Sequence, residues 1–193
     1  NFDLKKMKIM AEFYVKFISS NSYLTIMSEI SNNEDKEISN LLNFGICMED
    51  KEGYPILVSQ INQRNFEELL NKYSVEQLIS WNVRTVTNIC KIVFATSSSF
   101  HLKRMDKMMI IIDFQKSNPL YFIKGKAKEF MVGLSQRVQG IFPDLIKKVI
   151  VMNIPNLFYV LWAFYSLIMD ENMKKKFELF NNIDVMELIF INS

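Results

Sequence analysis

Residues 142–177 read FPDLIKKVIVMNIPNLFYVLWAFYSLIMDENMKKKF, and the fold turns on how this stretch divides. Pro143 suits the opening of a short helix, and residues 149–152 form an apolar, β-branched run with the composition of a buried strand. After Asn153-Ile154-Pro155-Asn156 comes a segment, residues 157–169, that is apolar at almost every position. A helix there has no polar face at helical spacing, which excludes an ordinary surface helix. Crossing a bilayer takes about 20 consecutive apolar residues. This run supplies roughly thirteen before Asp170-Glu171, and Asn153, Pro155 and Asn156 close it from behind. Two readings stay open. One is a buried core helix. The other is a helix with one side on an apolar cavity and the other near a membrane surface, which the polar-tipped aromatics Tyr159, Trp162 and Tyr165 would suit.

Upstream, MMIIIDF (residues 108–114) is apolar enough for a fully buried parallel strand, with Asp113 expected at its carboxyl edge. Pro119 opens a predicted helix to about Val138, and a helical crossover of that length makes 149–152 a parallel neighbour of 108–114. Asp50-Lys51-Glu52-Gly53 is turn chemistry ahead of a strand at 54–60. Residues 65–72 read as a short helix. Ser74 then caps a long one, with Glu76 close behind and an apolar face running to Val93, and residues 96–100 (TSSSF) break it. At the amino end, 2–18 and 22–30 have helical periodicity; a polar break at 32–35 and a helical turn at 37–42 follow. Downstream, 177–180 reads as a strand and 185–191 as a terminal helix. The expected class is α/β: a small, mainly parallel sheet flanked by helices, with an N-terminal helical part (1–45) and the main domain (46–193).

Composition narrows the function classes. The hydrophobic share is 49% and the charged share 23%, a globular profile, and a net charge of +2 is too dilute to argue for a nucleic-acid partner. Lys147-Lys148 and Lys174-Lys175-Lys176 bracket the apolar segment; this suits either an anionic membrane or two solvated helix ends. Cys47 and Cys90 have no disulfide or metal-ligand spacing, which points to a reducing compartment without a zinc site. No signal-peptide pattern opens the chain, which begins on Asn1. Twelve Met and sixteen Phe either fill a core or line an adaptable pocket.

Three stretches, in order, resemble the CRAL-TRIO lipid-binding domain, and in particular the Sec-fourteen-like phosphatidylinositol/phosphatidylcholine transfer proteins. Asp50-Lys51-Glu52-Gly53-Tyr54-Pro55 is similar to the family's D-x-x-G-x-P. Residues 109–113 are similar to its strand ending in Asp. Phe142-Pro143-Asp144, residues 149–155 and Met169-Asp170 follow its Y-P-E, I-I-N-A-P and L-D-P at matching spacing. Phe2-Asp3-Leu4 resembles the family's K-F-D at the start of a lid helix, while the family's L-P-x-x-x-G-G has no counterpart, so both ends read as trimmed or divergent.

The resemblance implies one lipid held over the sheet beneath a helical lid and a mobile gate helix, 157–169. Leu157, Phe158, Leu161, Trp162, Phe164, Tyr165 and Ile168 would form the gate, with Met108, Ile110 and Met173 at the cavity. It places Asp144 and Lys176 at a phosphoinositol headgroup. Met173 stands where the family has a headgroup threonine, and Met108 and Ile110 stand where a serine and a threonine hold phosphocholine. Phosphatidylinositol is therefore the favoured ligand over phosphatidylcholine; a less polar lipid, such as a sterol or isoprenoid, and a non-transferring scaffold remain alternatives. The implied protein is a cytoplasmic monomer that associates transiently with membranes and needs no cofactor. Enzyme chemistry is disfavoured: the sole histidine, His101, follows a serine run in an expected loop, with no nucleophile elbow, phosphate-cradling glycine loop or HExxH.

Overall fold

The computed structural model describes residues 32–42, 44–142 and 144–181. The expected helices at 2–18, 22–30 and 185–191 lie outside the described residues.

Three parallel strands carry the molecule: β2 (Pro55–Asn62), β3 (Met108–Lys116) and β4 (Ile146–Met152). They pair side by side, with β5 (Phe177–Leu179) parallel to β4 at one edge and β1 (Phe44–Glu49) antiparallel to β2 at the other, giving the order β1-β2-β3-β4-β5. Strand alternation sorts the side chains. Ile110, Ile112, Phe114, Val149 and Val151 join the main core beneath the helices, while Ile56, Met109, Ile111, Ile150 and Met152 cluster on the opposite face.

The helices follow local rules closely. α1 (Asn32–Leu42) precedes β1. α2 (Gln63–Lys72) is capped by the Asn62 side chain, which accepts from the backbone N–H groups of Arg64 and Asn65. α3 (Val75–Asn88) starts at Ser74 as expected, and its capping box closes with Gln77 rather than Glu76. α5 (Gly125–Ile141) packs along α3, and Phe66, Phe122 and Phe130 meet edge to face at 5.2–5.3 Å, so this part of the phenylalanine load is core.

Several expectations need correction. No helix follows Pro143: Asp144 takes a left-handed φ of 60°, and the chain is already strand at Ile146, paired with Met108. The exposed edge of β3 offers hydrogen bonds that a helix at 144–148 would forgo. β1 falls outside the expected strands; with Asp50–Gly53 it makes a hairpin onto β2. The serine run does not break its helix. A π-helical turn (Ile89–Val93) leads into α4 (Phe94–His101), where Thr96 and Ser99 donate to the carbonyls of Ile92 and Ala95, each at 2.9 Å. His101 thus ends a helix. Pro119 opens a 3₁₀ turn (Pro119–Ile123), and α5 begins separately at Gly125, whose φ is 52°. Asp113 lies inside β3, not at its end.

Candidate functional site

Residues 158–166 (FYVLWAFYS) form α6 (Phe158–Ser166), shorter than expected because the chain leaves the helix at Leu167 before Asp170 caps the next short helix, α7 (Glu171–Lys174). One side of α6 is packed. Phe158, Leu161 and Tyr165 are buried in the main core; Phe158 meets Phe114 at 5.2 Å, and the Tyr165 hydroxyl donates to the Phe122 carbonyl at 2.7 Å. Burial pushes the Tyr165 phenol up to about 12, so it remains a donor at neutral pH. Trp162 leans on Phe177 at 5.0 Å, and the Lys128 ammonium lies 5.1 Å from the Phe164 ring centre. The other side is apolar and exposed at Tyr159 and Val160, and the flanking Leu157, Leu167 and Ile168 are exposed as well. No helix among the described residues is long and apolar enough to cross a membrane.

Of the other predicted positions, Met173 packs against the same core as α6. Ile110 touches both that cluster and a third, and Met108 is buried in the third with Leu57, Val86, Ile89, Phe94 and Leu145.

At the amino ends of the parallel strands, the structure brings Asp144 and Lys176 together, with Nζ to Oδ1 at 2.7 Å. Lys176 also donates to the Ile146 carbonyl at 2.6 Å, and α7 delivers it there. Lys107 takes the other carboxylate oxygen, Oδ2, at 2.8 Å. Partial burial raises the Asp144 pKa, but the hydrogen bonds from Lys107 and Lys176 outweigh it and hold the carboxyl below its ordinary value. One carboxylate thus positions two ammonium groups, a donor arrangement suited to phosphate oxygens. Sequence reasoning missed Lys107. Its signal was the strand register: Met108 pairs with Ile146, and its N–H bonds to the Leu145 carbonyl, so the residue before β3 falls beside Asp144.

Two further features were missed. Buried Asp113 accepts from Asn153 Nδ2 at 3.0 Å and from Gln60 Nε2 at 3.3 Å, tying the left-handed residue that starts the link to α6 (Asn153, φ 52°) to the middle of the sheet. Asp50 caps its own turn, accepting from the N–H groups of Glu52 and Tyr54 at 2.9 Å, and holds Lys147 at 2.7 Å.

His101 pairs with Glu49 at 2.7 Å, and Ser97 donates to the other Glu49 oxygen. The carboxylate, not the imidazole, receives the hydroxyl, which is the wrong order for activating a serine nucleophile. Among the described residues no group of three or more His, Cys, Asp or Glu could hold a metal ion. A cleft of about 390 Å³ between α2 and the start of α5 is lined by Glu67, Leu70, Asn71, Tyr121 and residues 124–127, none of them a predicted gate or headgroup residue.

Fold and site together define a class: a helix-flanked, mostly parallel five-stranded domain with one short, mainly apolar helix, partly packed and partly exposed, along its core. The chain belongs to the CRAL/TRIO domain family, whose profile matches residues 40–190. It is 23% identical over 181 residues to the phosphatidylinositol/phosphatidylcholine transfer protein SFH7 of Arabidopsis thaliana, covering 94% of this chain and 33% of the relative. Against the protein real-time of Aedes aegypti it is 20% identical over 139 residues, covering 72% of this chain and 21% of that one. It therefore spans a third or less of the curated relatives it matches. The crystal structure of Sfh5 shares the fold with a TM-score of 0.68 at 14% identity, covering 93% of this chain and 62% of that chain. The expected α/β class and family are thereby borne out.

Proposed function

We propose that this domain binds one phospholipid, phosphatidylinositol foremost, beneath α6 and exchanges it between membranes when α6 opens at a bilayer surface. The observation that carries the reading is the two-sided apolar character of α6. Its packed side is held by contacts that can be exchanged for acyl chains, and its exposed side by nothing in the described chain. Each buried CH₂ contributes about 0.8 kcal/mol, so a lipid leaves a bilayer only if the protein offers comparable burial. No covalent bond is made or broken; exchange is a gating step.

Family membership and the plant relative's name support lipid as the ligand class. Asp144 with Lys107 and Lys176 supplies the cations for the phosphate, and the carboxylate can also accept from inositol hydroxyls. Met108 and Ile110, apolar where the family's phosphocholine residues are hydroxylated, disfavour phosphatidylcholine and support a sterol or isoprenoid as the second reading. We assign residues 1–45 to the lid part of a cytoplasmic, monomeric, peripherally associating domain. Native mass spectrometry of the purified protein, with extraction of whatever lipid travels with it, tests this directly. Stoichiometric phosphatidylinositol is expected. A neutral lipid would discard the headgroup assignment, and no lipid after incubation with mixed vesicles would discard lipid carriage altogether.

A further inference from the structure

The end of α4 is built in a way that folding does not explain. Leu102 takes the left-handed C-terminal position of the helix, at φ 50°, with its N–H bonded to the Ser98 carbonyl. Glycine adopts that conformation freely, whereas a side chain there is strained. Leucine could offset the strain by packing, yet Leu102 is 93% exposed. Phe100, two residues earlier, is 79% exposed and touches the His101 ring edge-on at 5.0 Å. Burial favours neither residue type here, and the backbone at 102 disfavours leucine.

The tip is nevertheless held firmly. Ser98 Oγ accepts from the Met105 N–H at 2.8 Å, and the His101–Glu49 pair ties it to the end of β1. Gly53, at φ 86°, passes so close that a Cβ would lie 2.6 Å from the His101 ring. The two apolar side chains are thus displayed by a braced turn. Three cations follow the tip, Lys103, Arg104 and Lys107, with Asp106 at 3.2 Å from Arg104, Asp144 on Lys107 and Glu49 on His101. Lys103 lies over the Tyr54 ring at 5.1 Å, Arg104 is highly exposed, and Lys107 ends the segment on Asp144.

We propose that Phe100 and Leu102 insert into the surface layer of an anionic bilayer, with Lys103 and Arg104 on its lipid phosphates, forming a membrane contact separate from α6. Two side chains are far too small for a stable protein interface, which takes about 800 Å² per partner. Short apolar tips beside the exposed stems of Lys103 and Arg104 match the headgroup boundary, where insertion and attraction to anionic lipid add. The inference rests on the proposed lipid exchange for its purpose, since the same segment carries Lys107 to the Asp144–Lys176 pair.

The test is flotation of the full chain with vesicles of phosphatidylcholine alone or mixed with phosphatidylserine, with lipid content measured in parallel by mass spectrometry. The native chain is expected to favour the anionic vesicles. Phe100→Ser with Leu102→Ser should lower partitioning by about tenfold per side chain. Lys103→Glu with Arg104→Glu should abolish the preference for anionic vesicles. Leu102→Gly separates binding from folding: it should weaken vesicle binding while the melting temperature holds or rises, because the strain is relieved. Unchanged partitioning in the Phe100 and Leu102 variants, or no anionic preference in the native chain, overturns the proposal. Loss of vesicle binding with bound lipid retained bears on this contact alone, whereas a native chain that never carries lipid bears on the exchange reading.

Discussion

Replacing Tyr165 with phenylalanine removes one hydroxyl and leaves the ring, including its 5.0 Å contact with Phe164, in place. The hydroxyl donates to the Phe122 carbonyl at 2.7 Å in a buried position, joining α6 to the 3₁₀ turn ahead of α5. Losing a buried hydrogen bond of this kind costs about 1–3 kcal/mol, because the carbonyl stays desolvated without its partner. At about 1.4 kcal/mol the opening equilibrium of α6 shifts roughly tenfold. Hydrogen exchange followed by mass spectrometry reads this directly: amides of Phe158–Ser166 should exchange about tenfold faster, while those of β3 keep their protection. If opening limits exchange, vesicle-to-vesicle lipid transfer should accelerate in the same variant. Unchanged protection of α6 would refute the assignment of this bond as a latch. An equal loss of protection in α6 and β3 would show that α6 opens only with the whole domain, which would sink the gate.

Lys176→Ala and Lys107→Ala should each weaken phosphatidylinositol binding by about tenfold, the scale of one charged hydrogen bond, while barely moving the melting temperature, because their partner Asp144 is a solvent-exposed carboxylate. Unaltered phosphatidylinositol transfer by both variants would remove this pair from the headgroup site. Asp144 adds a small part of the acid limb of stability, small because the carboxylate is exposed: its contribution is present above the ordinary carboxylate pKa of about 3.9 and is lost as pH falls through the lower folded value. Melting followed from pH 5 downwards should therefore fall less steeply below about pH 4 for Asp144→Asn than for the native chain; identical slopes would contradict the pairing. Cys90 is half buried, with its thiol pushed up to about 11 by burial. Alkylation at pH 8, read at the Cys90 peptide, should run on the order of a hundredfold slower than for a free cysteine, and denaturant should restore it.

Much of the architecture was legible locally. The runs PILVSQ and MMIIIDF announce strands because β-branched residues suit a pleated, buried surface, and the Ser74 cap and apolar face of α3 are written in adjacent residues. What escaped depended on partners far along the chain. Residues 143–148, with a proline and two lysines, read as a helix start, whereas β3 presents an edge for 146–148 to pair with. β1 is short, contains Gly45 and leaves Ile46 exposed, so it lacks the alternation that marks a half-buried strand. The serines of α4 read as a break because free hydroxyls compete with the backbone; here Ser99 bonds a carbonyl one turn back and Ser97 bonds Glu49 at the end of β1.

The site divides in the same way. Motif spacing points to Asp144 and Lys176, but Lys107, the anchoring of Asn153 by Asp113 and the exposed Phe100–Leu102 tip depend on register and burial, which no single stretch encodes. The sequence by itself determined the composition of the core strands, the helix caps and the apolar identity of residues 157–169, because propensity, capping and hydrophobic periodicity act over a few residues. Only the tertiary structure decided which side of α6 is packed and which faces outward, and that one carboxylate gathers two lysines, because those outcomes depend on chain segments distant in sequence meeting at fixed strand register.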